Sequence, residues 1–195
     1  MQLVFIFAAA LLGAIIGSFL NALSFRFNTG KSIVHGRSRC MRCNHHLSAL
    51  DLVPIFSFFL LLGRCRYCRT AISLQYPLVE AAAAGLAVLV YLRHPALGGV
   101  NPEPLAFIFW LVVWMTLLFV VVYDLRHSII PWSCSITLVI LSLIFLLFFK
   151  VGHPMSNFVV IDWIAGPLLA LPLFLLSLVS RGQWMGWGDS ALELS

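Results

Sequence analysis

Two sets of residues in this sequence have types and spacings that could do chemistry, and the first is a set of four cysteines. Cys40 and Cys43 form one Cys-x-x-Cys pair, and Cys65 and Cys68 form another after 21 intervening residues. Two tight turns at this spacing let four thiolates face one tetrahedral ion, which predicts a structural zinc site. A redox pair and unmetallated thiols are the alternatives, and His45-His46 could compete as ligands.

The second set consists of two aspartates. Asp124 directly follows an apolar run, and Asp189 ends the sequence Gly186-Trp187-Gly188-Asp189, in a chain with only seven acidic residues. Carboxylates at the ends of membrane-length segments indicate a functional use. Paired carboxyls can hydrolyse a peptide bond, one as a base toward water and the other as an acid toward the carbonyl oxygen, and they share a proton. We predict that Asp124 and Asp189 are catalytic jointly, and that Gly186 and Gly188 let a substrate backbone approach.

The composition decides what kind of element must position these residues. The chain is 62% hydrophobic and only 10% charged over 195 residues, which is far more apolar surface than a soluble core of this size could bury. We therefore predict an all-α integral membrane protein with about five transmembrane helices. The predicted spans are Leu3 to Leu23, Tyr76 to Tyr91, Leu105 to Tyr123, Cys134 to Phe149 and Ile161 to Ser180.

Basic residues predict the orientation of the spans. Eight of the twelve lysines and arginines fall in the loop between the first two spans, so the loop is predicted to be cytoplasmic. Threading the other spans places Asp124 and Asp189 on that same side. The loop also favours contact with anionic lipid headgroups. It lacks a recognisable nucleic-acid reading module, which argues against a nucleic-acid partner.

The predicted domain organisation follows these boundaries. Residues 1–23 form transmembrane helix 1, residues 24–75 form a small cytoplasmic zinc-knuckle module, and residues 76–195 form the remaining membrane core. Between the two cysteine pairs, residues 53–62 are an apolar run too short to span, which predicts an interfacial or re-entrant segment. Glu80, near the cytoplasmic edge of the second span, is predicted to pair with a loop arginine or to support substrate binding.

Several of these motifs together resemble the bacterial type IV prepilin peptidases. The resemblance rests on residues 17–21 (Gly-Ser-Phe-Leu-Asn), on the two cysteine pairs and on residues 75–80 (Gln-Tyr-Pro-Leu-Val-Glu). It also rests on Tyr123-Asp124 followed by Ile130-Pro131, and then on Gly186-Trp187-Gly188-Asp189, in the order in which that family has its two catalytic motifs. The combination is much more specific than any one motif.

The resemblance implies an aspartic endopeptidase of the bacterial inner membrane. Such enzymes remove the basic leader of prepilins or pseudopilins after a glycine on the cytoplasmic face. Many relatives with the cysteine module also methylate the new amino terminus, which implies S-adenosylmethionine as a second cofactor beside zinc. Two departures stand out: Ala191 replaces the family's usual lysine, and the family's further spans are missing after Ser195, so the core is expected to be truncated.

Two other functions fit part of the sequence. A presenilin-like protease of general membrane helices would use the same two aspartates, but it would leave the cysteine module unexplained. A non-catalytic, zinc-ordered membrane scaffold would instead pair the aspartates with Arg126 and Arg181.

Overall fold

The computed structural model describes residues 2–27, 29, 38–93 and 104–145. Within these ranges the chain is helical apart from turns and two isolated β-bridges, and it contains no strand. The elements in order are α1 (Gln2–Arg26), a 3₁₀ helix (Ala49–Leu52), α2 (Phe56–Leu60), α3 (Gln75–Arg93), α4 (Pro104–His127) and α5 (Trp132–Ile144).

Three helices of this described part, α1, α3 and α4, are long and apolar enough to cross a membrane, whereas α5 is shorter. The predicted all-α membrane architecture is therefore confirmed, with each long helix extending one to four residues beyond the predicted span. The predicted fifth span, residues 161–180, lies outside the described residues. Pro104 is the first residue of α4, a position where its missing N–H costs no helical hydrogen bond.

Small residues bring α1 and α3 into close contact. A Cβ atom added to Gly13 would meet the carbonyl oxygen of Ala83, and would lie 2.7 Å from Cβ of Ala87. One added to Gly17 would lie 2.8 Å from Cβ of Ala83. Because apolar side chains gain nothing by leaving lipid, membrane helices associate through backbone approach of this kind. The small residues therefore determine how closely the two helices approach each other.

Polar groups lie at the end of the α1–α3 interface that carries Arg26. The Asn21 side-chain amide donates to the carbonyl oxygen of Tyr76 at 3.2 Å, and the Ser24 hydroxyl donates to the carbonyl oxygen of Asn21 at 2.8 Å. Both side chains are fully buried. The Asn21–Tyr76 bond crosses from α1 to α3, and because a hydrogen bond is costly to leave unmade in an apolar environment, it fixes the register of α1 against the start of α3.

The chain divides into two compact units, and the boundary falls within α4 between Val122 and Tyr123. The first unit contains the cysteine pairs and the α1–α3 interface. The second contains the last turn of α4, which ends where Ser128 adopts a φ of 52° and its N–H donates to the carbonyl oxygen of Asp124 at 2.6 Å. Pro131 then caps the start of α5.

Candidate functional sites

The two cysteine pairs form turns of the same design. Arg39 bridges His46 across the first turn, and Arg64 bridges Ala71 across the second. The N–H of each first cysteine donates across its turn, from Cys40 to the carbonyl oxygen of His45 at 3.0 Å and from Cys65 to that of Thr70 at 2.8 Å. Corresponding residues are 25 positions apart throughout, so the chain builds the same knuckle twice.

Each knuckle is closed by a residue in the left-handed conformation directly after its second cysteine. Asn44 has a φ of 55° and Arg69 a φ of 59°. Their N–H groups donate to the carbonyl oxygens of Cys40 and Cys65, both at 3.0 Å. Asparagine tolerates this conformation well, whereas arginine adopts it only at an energetic cost. The second knuckle therefore holds its turn against a local backbone preference.

The knuckles bring the four predicted ligands together. The Sγ atoms of Cys40, Cys43, Cys65 and Cys68 all lie within 4.8 Å of one another, and those of Cys40 and Cys68 are 3.8 Å apart. A tetrahedral zinc ion with Zn–S bonds of about 2.3 Å requires sulfurs separated by about 3.8 Å. The four thiols are free, and their geometry fits one tetrahedral metal ion with small adjustments.

Local hydrogen bonds prepare part of the cluster for the thiolate form. Hydrogen bonding by Thr70, whose Oγ1 lies 3.3 Å from the sulfur, lowers the pKa of Cys68 to about 6. Backbone N–H groups of Cys43 and Arg42 lower the pKa of Cys40. The His45 backbone acts in the same direction on Cys43, but burial and the neighbouring thiols raise the pKa of Cys43 to about 11. Four thiols this close cannot all ionise without a cation, and a bound metal would allow it.

Asp51 ties the linker between the knuckles to the second knuckle. Its carboxylate, only 2% exposed, accepts hydrogen bonds from the Ser48 N–H at 3.0 Å and the Ser48 hydroxyl at 2.8 Å, and pairs with Nε of Arg66 at 2.8 Å. Burial raises the pKa of Asp51, but the Ser48 hydrogen bonds and the Arg66 charge outweigh it, so the net pKa is lowered. The Tyr67 ring also lies 3.8 Å from the His45 ring, which connects the two knuckles directly.

The two histidines beside the first knuckle are not part of the sulfur cluster. The group that could hold a metal ion in the described part of the chain contains the four cysteines alone, and His45 and His46 are both exposed. Cys134, outside the cluster, is buried in α5.

Glu80 connects the membrane helices to the cysteine module. Its carboxylate oxygen Oε2 accepts a hydrogen bond from the Ile55 N–H at 2.6 Å, and the Ser18 hydroxyl is within its reach. Ile55 has a φ of 62° and a ψ of −52°, and the Phe56 N–H donates to the carbonyl oxygen of Pro54 at 2.5 Å. These features define a strained γ-turn. The Glu80 carboxylate holds this turn in place by accepting a hydrogen bond from the N–H of its central residue, Ile55.

Asp124 lies at the exposed end of α4. Its neighbours Tyr123 and His127 stack with ring centroids 4.3 Å apart, and Asp124 itself forms no ion pair with the described residues. The other residues predicted for catalysis or substrate support, Gly186, Gly188 and Asp189, lie outside the described residues. The dyad therefore stays a prediction.

Two residues important to this architecture escaped the sequence reasoning. Asp51 is one of them, although Ser48 and Asp51 have the three-residue spacing of a capping box, which is a signal that could have revealed it. The strained Ile55 had no such signal, because its conformation depends on Glu80, which is 25 residues further along the chain.

The fold and the cysteine cluster together define a helical, multi-pass membrane protein with a four-cysteine cluster between its first two spans that could hold a metal ion. Comparison with known proteins shows what this chain is similar to. Residues 11–94, which include the cluster, match the family model described as the bacterial peptidase A24 N-terminal domain.

Curated relatives extend the similarity beyond that domain. The chain is 39% identical to a prepilin leader peptidase/N-methyltransferase of Myxococcus xanthus over 134 residues, which are 64% of this chain and 35% of that protein. It is 35% identical to the protein of that name from Aeromonas salmonicida, covering 80% and 51% of the two chains. With the Dichelobacter nodosus protein it is 28% identical, covering 96% and 72%.

The resemblance to bacterial prepilin peptidases that the motifs predicted is thus confirmed. The chain spans between about a third and three quarters of the length of these three relatives. No solved structure matches the chain.

Proposed function

We propose that this protein is a prepilin leader peptidase, an aspartic endopeptidase that cleaves the basic leader of prepilins or pseudopilins after a glycine. The observation that carries the proposal is the similarity to proteins of this name over as much as 96% of the chain. Supporting it, Asp124 lies at the exposed end of a membrane-length helix, where a substrate and water could both reach a carboxylate.

Hydrolysis would use Asp124 and Asp189 as a pair. One carboxylate removes a proton from water, and the resulting hydroxide attacks the carbonyl carbon of the glycine that ends the leader. The other, as a carboxylic acid, protonates the carbonyl oxygen, and a proton is later passed to the leaving amine. Because a single proton is shared, either aspartate can begin as the acid. Gly186 and Gly188 would admit the substrate backbone, and Glu80 would support the site from the second span.

The test is leader cleavage in membranes that contain the protein and one prepilin. Asp124→Asn and Asp189→Asn should each abolish cleavage, because asparagine can neither activate water nor donate the shared proton. Asp51→Asn is a matched control, since it removes a carboxylate from the cysteine module and should leave cleavage measurable. Undiminished cleavage by either dyad variant would reject the mechanism, and cleavage of an unrelated signal peptide at the same rate would reject the substrate class.

We further propose that Cys40, Cys43, Cys65 and Cys68 hold a structural zinc ion. The sulfur separations, which match a tetrahedral site, support this proposal. Zinc would supply folding free energy to a module that, as described, has almost no regular secondary structure. Purified protein should contain about one zinc ion per chain, and Cys43→Ser should lower that content and release the ion to a weaker chelator. A metal content far below one would reject the zinc site.

The remaining parts of the proposal concern organisation and location. We infer three parts: residues 1–23 as the first span, 24–75 as the zinc module and 76–195 as the protease core. We infer a location in the bacterial inner membrane, and the bias of basic residues supports an orientation with the module and the dyad on the cytoplasmic side. N-methylation with S-adenosylmethionine is a second activity, supported by the names of the relatives, and radioactive methyl transfer to cleaved pilin would test it.

A further inference from the structure

A short apolar surface lies on the linker between the two knuckles. It consists of Phe56, Phe59 and Leu60 on α2 and of Leu62, the second residue after the helix, all of them exposed, with Phe59 at 67% and Leu62 at 85%. The Phe58 ring lies beside Gly63, where a Cβ atom added to Gly63 would be 3.0 Å from the ring. We call the four exposed side chains the linker surface. So many large apolar groups on one short segment mark a surface that contacts something apolar.

The contact with α3 determines where along the membrane helices this surface begins. Ile55, the residue before α2, is bound through its N–H to Glu80. Glu80 lies five residues after Gln75, which corresponds to about 7.5 Å along the axis of α3. The start of α2 is therefore not displaced beyond the end of the span. It lies beside the second turn of a helix that crosses the bilayer.

The segment that follows α2 is held in place by backbone hydrogen bonds. The Gly63 N–H donates to the carbonyl oxygen of Phe58 at 2.8 Å, and the Ile72 N–H donates to the carbonyl oxygen of Gly63 at 2.7 Å. These bonds connect the end of the linker surface to the second knuckle and to the residues that lead into α3. The linker surface is thus held at both ends, at the edge of the membrane span.

The surrounding charge indicates what covers the surface. The loop between the first two spans contains eight of the chain's twelve lysines and arginines, and Arg64 and Arg69 follow the linker surface closely and are exposed. Apolar side chains flanked by arginines at the end of a membrane helix match the boundary between acyl chains and anionic headgroups. A second copy of this basic loop would be repelled by the same charges.

We infer that α2 is an interfacial membrane anchor. The linker surface inserts among the lipid chains of the leaflet at the Gln75 end of α3, and nearby arginines contact anionic headgroups. A re-entrant hairpin, the alternative raised by the sequence, does not fit a helix of only five residues. The cysteine module is accordingly held on the membrane surface by lipid as well as by Glu80. This inference does not depend on the proposed peptidase activity.

Photo-crosslinking tests the inference in the full chain in its own membrane. p-Benzoylphenylalanine is incorporated in place of Phe59, in place of Leu62 or, as a control, in place of Met41. Met41 is also apolar and is 73% exposed, but it belongs to the first knuckle. After irradiation, mass spectrometry identifies whether each adduct contains phospholipid or protein. Size-exclusion chromatography of each variant identifies those that remain folded. A folded variant at either position 59 or position 62 is enough for the test.

The expected result is phospholipid adducts at position 59 or 62 that are several-fold more abundant than at position 41. In vesicles that mix phosphatidylglycerol with phosphatidylcholine, the anionic lipid should be enriched in the adducts over its share of the bilayer. Crosslinks between two copies of the chain, crosslinks to a prepilin, or lipid adducts equally abundant at position 41 would each overturn the inference.

Discussion

The close contact between α1 and α3 predicts different effects of alanine substitution at two glycines, one inside this contact and one outside it. Gly13→Ala adds a methyl group against the carbonyl oxygen of Ala83, and 2.8 Å from Cα of Ala84. Gly85→Ala adds the same group to α3 itself, but nothing lies within 4 Å of the added Cβ. The two substitutions are chemically identical, and both lie in the middle of a membrane-length helix. They differ only in whether the new atom has room.

The magnitude follows from the atoms that the new methyl group meets. Ordinary contacts between carbon atoms lie at about 3.5–4.0 Å, so α1 and α3 must separate by roughly 1 Å at Gly13 to accept alanine. The obstructing atoms belong to the backbone or to a Cβ fixed to it, so no rotamer change can relieve the clash. Overpacking of this kind costs about 1–3 kcal/mol. At Gly85 the only effect is helix propensity, which favours alanine by up to about 1 kcal/mol.

Thermal unfolding of the full chain in detergent micelles, followed by tryptophan fluorescence, measures both effects. Gly13→Ala should lower Tm, and Gly17→Ala should do the same because its Cβ meets Ala83 and Cα of Glu80. Gly85→Ala should leave Tm unchanged or raise it. If Gly13→Ala were as stable as the original chain, or if Gly85→Ala were equally damaging, the close packing of α1 on α3 would be refuted.

Three further predictions concern the cysteine module. Because the folded pKa of Asp51 lies below its ordinary value of 3.8, the contribution of Asp51 to stability is present above that value and is lost as pH falls through the folded pKa. The Tm difference between the original chain and Asp51→Ala should therefore shrink below about pH 4. A Tm difference that stays constant with pH would contradict the ion pair. In a chelator competition, Arg69→Gly should hold zinc at least as well as the original chain, because glycine removes the strain of about 1 kcal/mol that the left-handed backbone conformation imposes on arginine. Arg69→Val should hold zinc less well. Equal zinc affinities of the two variants would argue against the strained turn. Glu80→Ala leaves the Ile55 N–H without its acceptor, at a cost of about 1–3 kcal/mol, and should therefore speed proteolysis between Val53 and Phe56. Glu80→Gln keeps an acceptor and should not speed proteolysis. Equal cleavage of both variants would show that this hydrogen bond does not hold the segment in place.

Sequence reasoning predicted the parts of this fold that depend on composition and local spacing. Apolar length was sufficient for α1, α3 and α4, because a bilayer imposes a minimum span whatever the neighbouring helices do. The four-cysteine cluster was also predictable, since the Cys-x-x-Cys spacing itself produces a knuckle. The catalytic dyad stays a prediction, because Asp189 lies outside the described residues.

Long-range pairings were beyond local patterns. Nothing in the sequence around Ile55 indicates a γ-turn, because β-branched residues rarely adopt a positive φ. The conformation is tolerated here because the Glu80 carboxylate accepts a hydrogen bond from the Ile55 N–H. Gly13 and Gly17 have the small-xxx-small spacing of helix contacts, but the sequence does not say that their partner is α3. Such contacts depend on which surfaces meet, and single-sequence periodicity carries no information about that.

These long-range contacts act on one another in a definite order. Gly17 allows α1 to approach Cα of Glu80, and this approach brings Ser18 within reach of the Glu80 carboxylate. With Glu80 fixed between the two helices, its Oε2 atom accepts the hydrogen bond from the Ile55 N–H, and the linker surface begins at the next residue. A loosened helix pair should therefore loosen the linker as well. The cysteine module depends for its position on two glycines that lie inside the membrane and do not touch it.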